Sequence, residues 1–158
     1  MSQTTIKPAA IKKTFTVRAT PEKAFQVFTS GFDSWWPKTH YIGSSPLKTA
    51  MLEPGVGGRW YGLHEDGSEN LWGDVLAWEP PTRLLLAWRI TGEWAYDPGL
   101  LTEVEVRFTA VGEGETRVDL EHRGLERFGD SDAAKQTRAS MDGGWGAILE
   151  SFKTVVSA

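Results

Sequence analysis

Residues 101–123 read Leu101-Thr-Glu-Val-Glu-Val-Arg-Phe-Thr-Ala-Val111, then Gly112-Glu-Gly-Glu115, then Thr116-Arg-Val-Asp-Leu-Glu-His-Arg123. Val104, Val106 and Phe108 alternate with Glu103, Glu105 and Arg107, and Val118, Leu120 and His122 repeat the period beyond the turn. A period of two sends the two sets to opposite faces of a strand. Two such runs joined by a Gly-rich turn make a β-hairpin with one apolar and one charged face. Glu103 and Glu105 are therefore expected on the outer, solvated face, and His122 on the inner one.

Upstream, further strands are predicted over residues 49–53, 59–64, 70–79 and 83–91. The breakers between them are Pro54-Gly-Val-Gly-Gly58, Glu65-Asp-Gly-Ser68 and Pro80-Pro81. Links this short imply antiparallel neighbours. Gly73, in mid-strand, marks a bulge or a sharp bend of the sheet. Residues 11–19 form the first strand, with Ile11, Phe15, Val17 and Ala19 on one face and Lys13 interrupting it. Thr20 is a good N-cap, Pro21 suits the first helical position, and Ala24, Phe25, Val27 and Phe28 supply an apolar helix face. Gly31 ends that helix, residues 33–36 make a second short turn stopped by Pro37, and residues 40–47 read as loop.

Downstream, residues 131–157 are helical, capped by Ser131 or Asp130. Trp145, Ile148, Leu149, Phe152, Val155 and Val156 recur at helical spacing as one stripe. Gly143, Gly144 and Gly146 interrupt it, each costing a helix about 1 kcal/mol. They imply a bend or a close backbone approach, a tight helix–sheet contact first of all. The order is strand, two short helices, six strands, long helix. The expected class is α+β, a curved antiparallel sheet wrapped around the last helix and an apolar cavity, as one domain over residues 10–157 with a disordered tail at 1–9.

Composition removes several functions. The chain has 158 residues, 40% hydrophobic and 24% charged, with a net charge of −4. A nucleic-acid surface needs a basic stripe, and none exists. No apolar run of about 18 residues is present, so no membrane insertion is expected. Met1 to Ala10 lacks the apolar core of a secretory signal, and a cytoplasmic location is expected. With no cysteine, disulfides, thiolate nucleophiles and Cys-bound zinc are excluded. Neither a phosphate loop nor a serine nucleophile elbow occurs. His64-Glu65-Asp66 has no second ligand pair at metal spacing, so no metal and no cofactor are expected, and His64 reads as a solvated hairpin residue.

The unusual feature is eight tryptophans, at 35, 36, 60, 72, 78, 88, 94 and 145. Indoles fill cores more often than they line ligand sites, and both uses are open here. His122 is a ligand-orienting group or general base if free, and a satisfied core histidine otherwise. His40 and Tyr41 follow Trp36 in a loop, where function concentrates. Arg59, Glu69, Asp74 and Arg89 sit in aromatic-rich strands and would have to pair if they pointed inward.

Several stretches arrive together in order: Pro54-Gly-Val-Gly-Gly-Arg-Trp60, Trp72-Gly-Asp-Val-Leu-Ala-Trp-Glu-Pro-Pro81, Arg83-Leu-Leu-Leu-Ala-Trp88 and Gly144-Trp145. With Phe32-Asp-Ser-Trp-Trp-Pro37, they resemble the START-like helix-grip superfamily (SRPBCC). Within it they resemble the family related to the C-terminal domain of the activator of the heat-shock protein 90 ATPase. The resemblance covers residues 11–156. It implies the helix-grip fold, with two short helices after the first strand and the long helix across the concave face. It implies no single activity.

Three readings follow. One is a module binding a hydrophobic or aromatic small molecule, with Trp36, His40, Tyr41, Trp60, Trp72, Trp88, Phe108, His122, Trp145 and Leu149 as the candidate site. The second, implied by the resemblance alone, is a co-chaperone-like module that stimulates a heat-shock protein 90 type ATPase in stress response. The third is a cyclase or hydrolase using His122 or a loop residue, although no constellation of residues compels catalysis. The chain would act as a monomer or homodimer.

Overall fold

The hairpin read from the sequence is the centre of a larger sheet. In the computed structural model, which describes residues 10–93, 95–129 and 131–157, seven strands form one antiparallel sheet. They are β1 (Ile11–Val17), β2 (Leu47–Leu52), β3 (Arg59–His64), β4 (Glu69–Glu79), β5 (Arg83–Trp88), β6 (Thr102–Gly112) and β7 (Glu115–Arg123). Their order across the sheet is β1-β7-β6-β5-β4-β3-β2. The sheet is strongly curled, a half-barrel. Helices α1 (Pro21–Thr29) and α2 (Phe32–Trp35) follow β1, and α3 (Asp132–Val156) closes the concave side. This is the helix-grip arrangement. The expected tail at residues 1–9 lies outside the described residues.

Local chemistry explains the element ends. The Thr20 side chain accepts the Lys23 N–H at 3.2 Å and Ser131 accepts that of Ala134 at 3.1 Å, so both helices begin on side-chain caps. Asp33 at the start of α2 accepts the Ala50 N–H at 2.8 Å, satisfying one donor on the open edge of β2. Register shifts curl the sheet, among them one between Trp60 and Tyr61 against β4 and one between Val75 and Ala77 against β5. A Cβ at Gly73, beside the first, would collide with the Ala87 carbonyl oxygen. A Cβ at Gly58 would collide with that of Glu53. Glycine is obligatory at both.

Lys13 keeps the register of its strand. It shares the inward-leaning face of Ile11, Phe15 and Val17 and reaches out to Asp142 of α3 at 3.1 Å, its stem lying on apolar surface. A 3₁₀ turn at Leu125–Phe128, entered through Gly124 at φ +80°, joins β7 to α3.

The C-terminal half of α3 fills the concave face. The Phe152 ring lies 5.2 Å from Trp35, 5.3 Å from Phe28 and 6.1 Å from Phe15, all edge-on. On the convex face Glu105 is largely covered, although alternation points it outward. Arg83, Arg107 and Arg123 fold over it at 2.6, 3.2 and 3.2 Å. Burial alone would raise the Glu105 carboxyl, but the Arg83 and Arg123 hydrogen bonds and the Arg107 charge hold it below the usual carboxylate range. Arg59 pairs with Glu53 and Glu69, and Arg89 with Asp74. None of these four strand charges is a buried anchor.

Candidate functional site

The stripe that anchors α3 begins only at Trp145; before it, the helix face is polar and the packing opens. Between this N-terminal half of α3, the ends of β4 and β5 and the loop after α2 lies a half-enclosed cleft of about 410 Å³. Four indoles, Trp36, Trp72, Trp88 and Trp145, supply its flat apolar surface. Gln136, Thr137 and Ser140 of α3 face it from the other side, with Thr91 beside them and His40 and Tyr41 at the loop. A large apolar surface with a few polar groups is the usual make-up of a small-molecule site.

The indoles are held by hydrogen bonds as well as by packing. Trp36 Nε1–H donates to the His40 carbonyl at 2.8 Å, pinning the loop to the wall. Trp88 Nε1–H donates to the Ile90 carbonyl at 3.1 Å. Trp145 Nε1–H donates to His122 Nδ1 at 3.1 Å. His122 Nε2 lies 2.8 Å from Thr102 Oγ1, which lies 3.0 Å from the Trp88 carbonyl. One assignment satisfies this chain. An indole can only donate, so Nδ1 is the acceptor; the proton then sits on Nε2 and goes to Thr102, whose hydroxyl donates onward to Trp88. His122 is thus a neutral brace between two cleft walls. Burial pushes its pKa from the ordinary 6.5 down to about 3. Both its nitrogens are engaged, which leaves no lone pair for catalysis.

Of the ten candidate residues, Trp36, His40, Tyr41, Trp72, Trp88 and Trp145 line the cleft together. The other four stand behind its wall. Trp60 is fully buried under Phe32, Trp36 and Trp88. Phe108 lies at the end covered by α1, edge-on to Phe25 and Phe28. Leu149 is buried in the α3 stripe, and His122 is the brace just described. Period two shows which face a residue takes but not how far along the concave face the cavity extends. Gln136, Thr137, Ser140, Met141 and residues 90–92 were missed, because polar residues on one side of a helix read as a solvated face.

His64 is a correction: it is buried, 1% exposed. It ends β3 on the face of Trp60, where the loop carrying Ser45 and Pro46 covers the strand end. Its Nδ1–H donates to the Ser45 carbonyl at 2.7 Å. Its Nε2 is buried without a partner among the described residues, as are the Nε1 atoms of Trp60 and Trp72. The three α3 glycines are a second correction. A Cβ at Gly143, Gly144 or Gly146 would meet nothing within 4 Å, and α3 runs unbroken through them. No close helix–sheet approach demands them, and Gly144 lies open on the cleft.

Comparison with known proteins places this architecture. Residues 18–157 match the family described as Activator of Hsp90 ATPase homolog 1-like protein. No curated protein sequence matches. Among solved structures, the chain is 39% identical to an anthrahydroquino-gama-pyrone synthase, Txn09, with a TM-score of 0.66, covering 94% of this chain and 97% of that one. It is 33% identical to CalC, a self-sacrificing resistance protein from Micromonospora echinospora, with a TM-score of 0.66 and 93% of each chain covered. The Aha1 dimer from Colwellia psychrerythraea, at 19% identity and a TM-score of 0.63 over 95% of this chain and 97% of that one, shares the fold.

Proposed function

We propose that this chain, which belongs to the Activator of Hsp90 ATPase homolog 1-like family, binds a flat aromatic small molecule in the cleft beside α3. The observation that carries this reading is the set of four indoles on one cleft of about 410 Å³. All four are buried to at least nine-tenths and pack on one another, so they form a rigid aromatic wall that presents ring edges to a ligand. The polar α3 side suits a ligand whose rim carries hydroxyl or carbonyl groups. The likeness to a synthase named for an anthrahydroquinone-derived product supports the same class of ligand.

A second reading is catalytic. The relative at 39% identity is a synthase that matches over nearly its whole length, which favours ring-forming chemistry over passive carriage. The co-chaperone reading draws on the family description alone.

Native mass spectrometry of freshly purified protein tests the binding reading. A non-covalent adduct of an aromatic compound, lost on denaturation, supports it. A protein that stays at its apo mass after incubation with a panel of polyhydroxylated anthraquinones contradicts it.

A further inference from the structure

We propose that the cleft has an inner subsite for one hydroxyl group of its ligand, in which His64 Nε2 accepts the O–H and the Trp72 indole N–H donates to the oxygen. The proposal rests on the binding reading above and adds to it the polar group that the ligand must carry. Its basis is a set of three side-chain nitrogens, His64 Nε2, Trp60 Nε1 and Trp72 Nε1, all buried and without a hydrogen-bond partner among the described residues. The three side chains are at most 1% exposed. Protein interiors leave few polar groups unpaired, and each exception calls for a partner.

Two adjacent strands bring these atoms together. Trp60, Gly62 and His64 alternate along β3 onto the concave face. Trp72 of β4 packs against Trp60, with ring centroids 6.0 Å apart. Gly62 has no side chain, and the Trp72 ring takes the room above it. A Cβ at Gly62 would lie 3.0 Å from Trp72 Cζ2 and 3.4 Å from His64 Nε2. One ring atom separates Cζ2 from Nε1, so the N–H edge of Trp72 and the imidazole nitrogen flank one point. No hydrogen bond joins them. The pair lies directly behind the cleft surface. Trp72 and Tyr41 both line the cleft, and the Tyr41 ring rests edge-on against His64 at 5.6 Å. The loop is pinned on either side of Tyr41, by Trp36 at the His40 carbonyl and by His64 at the Ser45 carbonyl. Turning the Tyr41 ring aside admits a ligand group to His64 without breaking either anchor.

The donor set dictates what fits. The Nδ1–H of His64 goes to the Ser45 carbonyl at 2.7 Å, which leaves Nε2 as an acceptor. An indole nitrogen only donates. The group between them must give a hydrogen to one and offer a lone pair to the other, and a hydroxyl does both. A carbonyl or ether oxygen serves Trp72 and leaves His64 bare, whereas an ammonium serves His64 and repels the indole N–H. Buried polar groups reject an analogue that leaves them unpaired far more sharply than an apolar pocket rejects a poor fit. The indole wall thus selects a flat ligand, and His64 with Trp72 selects where its hydroxyl lies.

The test compares 1,2-dihydroxyanthraquinone with its 1,2-dimethoxy analogue on the wild type and on His64→Phe, by fluorescence titration. Phenylalanine keeps a ring under Tyr41 and removes the acceptor. The difference in bulk between the two probes is common to both proteins and cancels. The wild type should prefer the dihydroxy probe by a factor that falls tenfold or more in the variant. Matched thermal melts check that the variant folds, and the wild type alone gives a second readout. Its His64 Nε2 nitrogen-15 resonance should move upfield with the dihydroxy probe and stay in place with the dimethoxy one. An equal preference in both proteins overturns this proposal and leaves the binding reading standing. So does a Trp72 indole N–H that keeps its cross-peak to water when the dihydroxy probe saturates the protein, since water then holds the position. Failure of both probes to bind the wild type overturns the two readings together.

Discussion

Replacing Gly143 and Gly146 together with alanine should make this protein more stable, contrary to what glycines beside a buried Trp normally suggest. Both lie inside a continuous α3, and a Cβ at either position meets nothing within 4 Å. The substitution therefore adds no clash and removes the helix penalty of glycine, about 0.8–1.0 kcal/mol at each site. Part of the gain comes from restricting the unfolded chain. The two sites are three residues apart, less than one helical turn, but two alanine methyls make little contact with each other, so the gain approaches the sum of about 2 kcal/mol. For a chain of this size that is a rise in Tm of about 4–8 °C, read by circular dichroism melting. An unchanged or lower Tm would refute the reasoning, because it would mean that the glycines satisfy a packing or backbone demand the structure does not contain. Gly144→Ala supplies the contrast. It should give the same helix gain, but its methyl enters the cleft, so stability and ligand affinity should move in opposite directions.

Other outcomes follow from the braces and ion pairs. As pH falls, the unfolded chain protonates His122 at about 6.5 while the folded chain resists to about 3. Stability is thus full above 6.5 and declines below it, by about 1.4 kcal/mol per pH unit. Urea unfolding should show a loss of about 2 kcal/mol between pH 6.5 and about 5. His122→Gln should lack that component, and an equal loss in both proteins would count against the neutral brace. Trp145→Phe keeps the ring but strips His122 Nδ1 of its donor, and should cost about 1–3 kcal/mol in the same assay. Glu105→Gln weakens the contacts to Arg83, Arg107 and Arg123 and should cost about 2 kcal/mol; a neutral result would mean the cluster is too solvated to matter.

The strands and helices were legible because each carries a strong local signal. The alternation in residues 101–123, the Thr20 and Ser131 caps and the breakers at Pro54–Gly58 act over a few residues. The pairing of β1 with β7 is a contact between the two ends of the fold, and neither it nor the order across the sheet was read from the sequence, because no local signal carries it. His64 was misread because a turn signal shows where a hairpin closes, not whether a loop covers the strand end. The cleft was half legible. Its indoles announce themselves by type, whereas its polar side is built from Gln136, Thr137 and Ser140, which become a wall only because α3 packs tightly from Trp145 onward and stands off before it. The α3 glycines drew attention correctly and were explained wrongly, since a sequence cannot distinguish a glycine that admits a neighbour from one that leaves space.

The most direct test of the account is a titration of 1,2-dihydroxyanthraquinone against the intrinsic tryptophan fluorescence of the protein, repeated on Gly144→Phe. The account predicts saturable quenching with one site per chain, weakened tenfold or more in the variant, whose ring would occupy the cleft. Quenching that never saturates, or that is the same in both proteins, would contradict it.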